Sequence, residues 1–177
     1  MFARTPRLLL RPGWAEDAPA LAALLGRALA PAGLPWPCGV ADARALLTRD
    51  AGPLPEFLII LRAPGGSRLV GGIGLRRDAA GEAELGCWIA PPHRRLGYAT
   101  EAGRAVIELA HRGLRLRRVV SGHRLDDPAA GHVLRRLGFR PAGRGQPRRS
   151  ARGETVPYAR FEHEDTVEPA AMAPLAA

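Results

Sequence analysis

"PPHRRLGYATEAG", residues 91–103, decides how this chain is read. Two prolines and two arginines run into Gly97, and small residues at helical spacing begin at once. The start of a helix leaves up to four backbone N–H groups without acceptors, and the aligned peptide dipoles place about half a positive charge there. Gly97 removes the side chain that would keep a ligand off this backbone, Ala99 keeps the next inward position small, and Arg94 and Arg95 add charge. The stretch predicts a diphosphate cradle at the mouth of a helix, with a plain strand-to-helix turn as the alternative. Neither G-x-x-x-x-G-K-[ST] nor a G-x-G-x-x-G after a first parallel strand occurs, which excludes two other phosphate loops.

Upstream of it, residues 56–62, 68–77 and 82–90 are apolar segments parted by "APGGS" and "DAAG", the pattern of three antiparallel strands in a meander. Downstream, a helix over 98–112 puts Ala99, Ala102, Gly103, Val106 and Ala110 on one face, with Thr100, Glu101, Arg104 and Glu108 mostly away from it. Residues 115–122 then read as a strand, so strand, helix and strand form a crossover unit. Further out, residues 7–11 read as a first strand ending at Pro12-Gly13. Residues 14–30 read as a helix, since Leu21, Leu24, Leu25 and Ala28 recur at i, i+3, i+4 and i+7. Residues 31–39 form a proline-rich loop and 40–51 a second helix. A short helix follows Asp127 as N-cap and Pro128, and closes on Gly138 as a left-handed cap, with Phe139 folded back on Leu134. Two last strands, 139–142 and 156–161, are expected on either side of an arginine- and glycine-rich loop. The expectation is one α/β domain over 1–162, with 163–177 too poor in apolar residues to pack and therefore a disordered tail.

The chain has 177 residues, 46% of them hydrophobic, enough for one core. Its net charge of +9 suggests an anionic partner. All 26 basic residues are arginine, however, and alanine, glycine and proline abound, so compositional bias explains much of the charge and a nucleic-acid partner is disfavoured. The absence of lysine excludes a lysine Schiff base. Cys38 and Cys87 lack metal-type spacing, the histidines show no ligand pattern, and no metal is expected. No segment approaches the roughly 20 apolar residues of a membrane span, so a cytoplasmic protein without membrane contact is expected, as a monomer or homodimer.

"RRLGYA" (94–99) fits the motif R/Q-x-x-G-x-G/A of the GNAT superfamily of acetyl-CoA-dependent N-acetyltransferases. The longer stretch "AELGCWIAPPHRRLGYATEA" resembles the strand, loop and helix of its RimJ/RimL-like branch, the ribosomal-protein N-terminal acetyltransferases. "TPRLLLRPGWAEDA" is similar to that branch's first strand and helix entry, and "DDPAAGHVLRRLGF" to its later motif ending in L-G-F. The resemblance covers roughly residues 4 to 162. It implies a GNAT fold, a mostly antiparallel mixed sheet of six to seven strands flanked by about four helices, with a splay between the two central strands. It implies acetyl-CoA as co-substrate, its diphosphate held by the Arg94, Arg95, Leu96, Gly97, Tyr98, Ala99 and Thr100 stretch. Ile89 and Ala90 would pair with the pantetheine amides, and Asp127 stands at a cofactor position where the family commonly has asparagine.

Acetyl transfer needs a neutral amine, a polarised thioester carbonyl and a proton for the departing thiolate. At neutral pH about one lysine amine in a few thousand is neutral, against about one α-amine in ten, so an α-amine needs only a weak base. Glu84 is the candidate base, because the family often has an acid on this strand, and the Ile89 N–H is the candidate oxyanion donor. Leu134 and Ala130 stand where family members often have a tyrosine and a serine. Tyr158 is another possible acid, and His123 could face the acceptor. Cys87 is expected to be buried before the splay, leaving no nucleophile to carry the acetyl group. Arg144, Arg148, Arg149 and Arg152 raise the expectation of a negatively charged acceptor. The acceptor is a protein N-terminus or a small-molecule amine such as an antibiotic or polyamine. A CoA-binding module without turnover is the remaining alternative.

Overall fold

The computed structural model describes residues 1–26, 39–50, 52–149 and 154–165. Eight strands form one sheet: β1 (Ala3–Arg4), β2 (Leu8–Arg11), β3 (Glu56–Leu61), β4 (Arg68–Arg77), β5 (Ala83–Ile89), β6 (Arg118–Arg124), β7 (Arg140–Arg149) and β8 (Thr155–Glu164). Their order is β1-β2-β3-β4-β5-β6-β8-β7, and every pairing is antiparallel except β5 with β6. The two-residue β1 is the strand beyond the six to seven expected.

Helices cover both faces. On one lie α1 (Ala18–Gly26) and α2 (Val40–Thr48), on the other α3 (Tyr98–Glu108) and α4 (Pro128–Arg136). The larger core joins Leu8, Leu10, Ile59, Ile73 and Leu75 of the sheet to Ala102, Val106 and Leu134 of the α3–α4 layer. A smaller one joins Ala18, Leu21, Leu25 and Ala43, with Trp88 of β5 packed against it. The Trp88 ring lies where a Cβ on Gly72 would stand, 2.5 Å from its Nε1.

Asp127 caps α4 by accepting from the Ala130 N–H at 3.3 Å, and Gly138 adopts φ 88 beyond its end. The Phe139 N–H then returns to the Leu134 carbonyl. α3 ends in a π turn, Leu109–Gly113, where the buried His111 bonds the Leu116 carbonyl and the His163 ring. Thr100, expected to face away from the core, is buried.

The last hairpin differs most from expectation. Residues 143–149, assigned to a loop, belong to β7, and β8 extends through His163 and Glu164, which the sequence placed in the tail. Two register shifts, at Pro141/Arg144 and Gly145/Arg148, absorb Gly143 and Pro147, and an edge strand has no outer ladder for a proline to interrupt. Trp36, Cys38, Arg152 and residues 166–177 lie outside the described residues.

Candidate active site

Between Ile89 and α3 the chain makes a 3₁₀ turn, Pro91–His93, and then enters two left-handed positions, Arg95 at φ 64 and Gly97 at φ 82. Gly97 is the N-cap of α3 and supplies no side-chain cap. The first helical bond runs from the Glu101 N–H to the Gly97 carbonyl, so the Gly97, Tyr98, Ala99 and Thr100 N–H groups have no acceptor within the helix. A Cβ on Gly97 would meet only an Arg7 nitrogen, at 3.4 Å, and residues 94–97 are exposed. The result is an open, electropositive hollow of backbone donors with arginines at its rim.

β5 ends at this hollow, and its other side is a gap. β5 and β6 share one bridge, Glu84 with Val120, and diverge from there. The Ala90 N–H donates to Val70 O, and the β4–β5 register is unbroken. Antiparallel alternation then turns the backbone groups of Leu85, Cys87 and Ile89 toward β6. The Ser121 hydroxyl caps the Leu85 carbonyl at 2.8 Å, and Arg94 Nε donates to the Ile89 carbonyl at 3.0 Å. The Ala90 N–H is thus engaged by β4, which leaves only its carbonyl, already accepting from the His93 N–H, for the expected pantetheine contact.

Glu84 sits at the closed end of the gap, 5% exposed, on the sheet face opposite α3. Its Oε2 accepts from Arg76 Nε and Nη2 at 3.2 and 3.1 Å, across the direct register pair. Its Oε1 accepts from the Tyr158 hydroxyl at 3.3 Å. The Tyr158 ring crosses β6 because residue 122 is glycine; a Cβ there would lie 2.4 Å from the ring and 2.2 Å from the Ala159 carbonyl oxygen. Two groups distant in sequence, weighed separately as base and acid, thus meet.

Glu84 and Ile89, expected to act on one thioester, are five residues apart on a strand, about 16 Å. One reacting carbonyl cannot touch both, and the Cys87 N–H is the nearer donor. The Cys87 side chain is open to solvent rather than buried. His123 does not face the Glu84 side: its ring lies under α4, against Gly131 and 5.6 Å from the Phe161 ring. Glu101 holds the N-terminal segment, accepting from the Thr5 hydroxyl at 2.6 Å, the Arg7 N–H at 2.9 Å and Arg7 Nε at 2.7 Å. Sequence reading placed Glu101 on the outer face of the helix and missed Arg7, whose partner lies 94 residues away. Among the described residues no cluster of histidine, cysteine or carboxylate could hold a metal ion, and no helix is long and apolar enough to cross a membrane.

The same architecture recurs in known acetyltransferases. The ribosomal-protein α-N-acetyltransferase RimL, solved with coenzyme A, superposes with a TM-score of 0.77 at 20% identity, over 93% of this chain and 98% of that one. The ribosomal-protein-S5-alanine acetyltransferase from Vibrio fischeri gives 0.75 at 14% identity, over 96% of this chain and 100% of that one. The microcin C7 self-immunity acetyltransferase MccE, solved with acetyl-CoA and AMP, gives 0.76 at 15% identity, over 91% and 94%. A comparison with curated proteins gives no match. The sequence profile of the acetyltransferase (GNAT) domain matches residues 7–140. With three-quarters of its length inside that profile and a sheet split between β5 and β6, the chain belongs to the GNAT acetyltransferase family.

Proposed function

We propose that this protein moves the acetyl group of acetyl-CoA directly to a primary amine, the acceptor being the α-amine of a protein N-terminus. The observation that carries this reading is the lone Glu84–Val120 bridge, beyond which β5 runs on to the open start of α3. The backbone donors from Arg95 to Thr100 bind the diphosphate, with the Arg94 and Arg95 charges beside it. The Ile89 N–H takes a pantetheine carbonyl, since an exposed strand edge accepts an extended ligand. The arm enters the gap and brings the thioester toward Glu84.

The neutral amine attacks the carbonyl carbon, forming the C–N bond, while the Cys87 N–H stabilises the oxyanion. Glu84 accepts the amine proton, through one water if need be. The C–S bond breaks, the Tyr158 hydroxyl protonates the leaving thiolate, and Glu84 returns its proton to Tyr158. This relay supplies the proton that Leu134 and Ala130 cannot.

Kinship of fold with ribosomal-protein acetyltransferases supports the choice of acceptor, as does the larger neutral fraction of an α-amine. The test is thiol release from acetyl-CoA against peptides with free N-termini, a polyamine and an aminoglycoside. Turnover with peptides, lost in Gly97→Glu, is expected. Preference for the polyamine or aminoglycoside would overturn the acceptor, and CoA binding without turnover on any amine would overturn the activity.

A further inference from the structure

Arg7 lies between β1 and β2, far in sequence from the hollow, yet its side chain reaches the start of α3, beside it. Its Nε donates to Glu101 Oε2 at 2.7 Å, and its Nη1 donates to the Leu96 carbonyl at 3.0 Å. The guanidinium carbon stands 4.7 Å from the centre of the Tyr98 ring. Its Nη2 is the group 3.4 Å from where a Gly97 Cβ would be. One side chain therefore touches the residue before the N-cap, the N-cap itself and the first turn of α3.

The segment carrying Arg7 is itself pinned. Arg62, just beyond β3, donates through Nη2 to the Thr5 and Pro6 carbonyls at 2.7 and 2.6 Å, and its N–H donates to the Arg7 carbonyl at 3.0 Å. Thr5 adds its hydroxyl bond to Glu101 at 2.6 Å. A guanidinium fixed at its base and at its tip is a rigid two-pronged donor.

The consequence follows from peptide geometry. In a planar trans peptide the C=O and the next N–H point in opposite directions. Holding the Leu96 carbonyl on the Arg7 side turns the Gly97 N–H to the other side, into the hollow. Gly97 has φ 82 and no side chain to restrict its rotation, so without that hold the Leu96–Gly97 peptide is free to flip. We propose that Arg7 is a positioning residue for the anion cradle: it fixes the Leu96–Gly97 peptide so that the Gly97 N–H faces the diphosphate, and sets its own charge at the rim. This rests on the CoA reading above and adds to it a residue outside the 94–99 motif.

The experiment is calorimetry of wild type, Arg7→Met and Arg7→Lys with CoA, dephospho-CoA and pantetheine, the last lacking the diphosphate, alongside thermal unfolding. Arg7→Met is expected to weaken CoA and dephospho-CoA about tenfold and to leave pantetheine unchanged. Arg7→Lys keeps a charge for Glu101 and thus the fold. It cannot grip Glu101 and Leu96 together, so it loses affinity for the same two ligands. Merely structural damage would weaken all three alike. A wild type that binds CoA, with variants that lose all three ligands equally or none, overturns the role of Arg7 and leaves the proposed function standing. A wild type that binds no CoA overturns both.

Discussion

Tyr158→Phe removes one hydroxyl and keeps the ring that lies across Gly122. With the relay broken, kcat should fall about 10- to 100-fold in a thiol-release assay, while CoA affinity and the unfolding midpoint stay near wild type. Glu84→Gln should act on the same step, and the double variant should fall little further than the worse single one, as expected for two groups in one relay. Additive losses would mean that they act separately. Glu101 titrates below the ordinary carboxylate range. Desolvation opposes this, but the Thr5 hydroxyl and the Arg7 backbone and guanidinium outweigh it. A depressed pKa means that the unfolded chain takes up the proton first, so the contribution is complete above the ordinary value and fades as pH falls through the folded one. Comparing unfolding midpoints of wild type and Glu101→Gln from pH about 6 to about 3 should show their difference shrinking toward the acid end. At this scale the sequence singled out Glu84, Tyr158 and Gly97 separately, and the structure brings the first two into contact. It could not show that the Ala90 N–H is taken by Val70, because ladder parity depends on a partner strand.

Among the elements, β6 depends on Gly122 for its place beneath Tyr158. Gly122→Ala would set a Cβ 2.2 Å from a backbone oxygen that cannot swing away. A loss of about 2–3 kcal/mol in urea unfolding is expected, with kcat reduced as the ring is displaced. Unchanged stability would show that β6 and β8 separate more easily than their ladder suggests. The strands before the site were legible: the segment 68–77 is β4 to the residue, because the turn stretches "APGGS" and "DAAG" bracket it. The final hairpin was not. Glycine, proline and arginine in 143–149 carry the composition of a loop, and they form a strand because β8 offers a ladder and bulges take up the misfits. The π turn after α3 was also hidden, since a one-residue widening leaves helical periodicity nearly intact.

Over the whole molecule, the net +9 is spread along the chain, and the last hairpin, which carries Tyr158, also carries the exposed Arg144 on β7. The KM for a peptide with acidic residues after its N-terminus should rise with ionic strength, while that for a neutral peptide holds steady. Equal response of both would remove charge from acceptor choice. Sheet order has a further effect, on the sequence of folding. Among the described residues β8 is the last strand, yet it lies inside the sheet between β6 and β7. A polypeptide cut before residue 155 would keep β6 and β7 with neither able to pair as it does here. The half bearing the cradle is built from earlier strands, whereas Tyr158 reaches Glu84 only once β8 has slotted in between its two neighbours. The contact between these two side chains is thus among the last that folding can make.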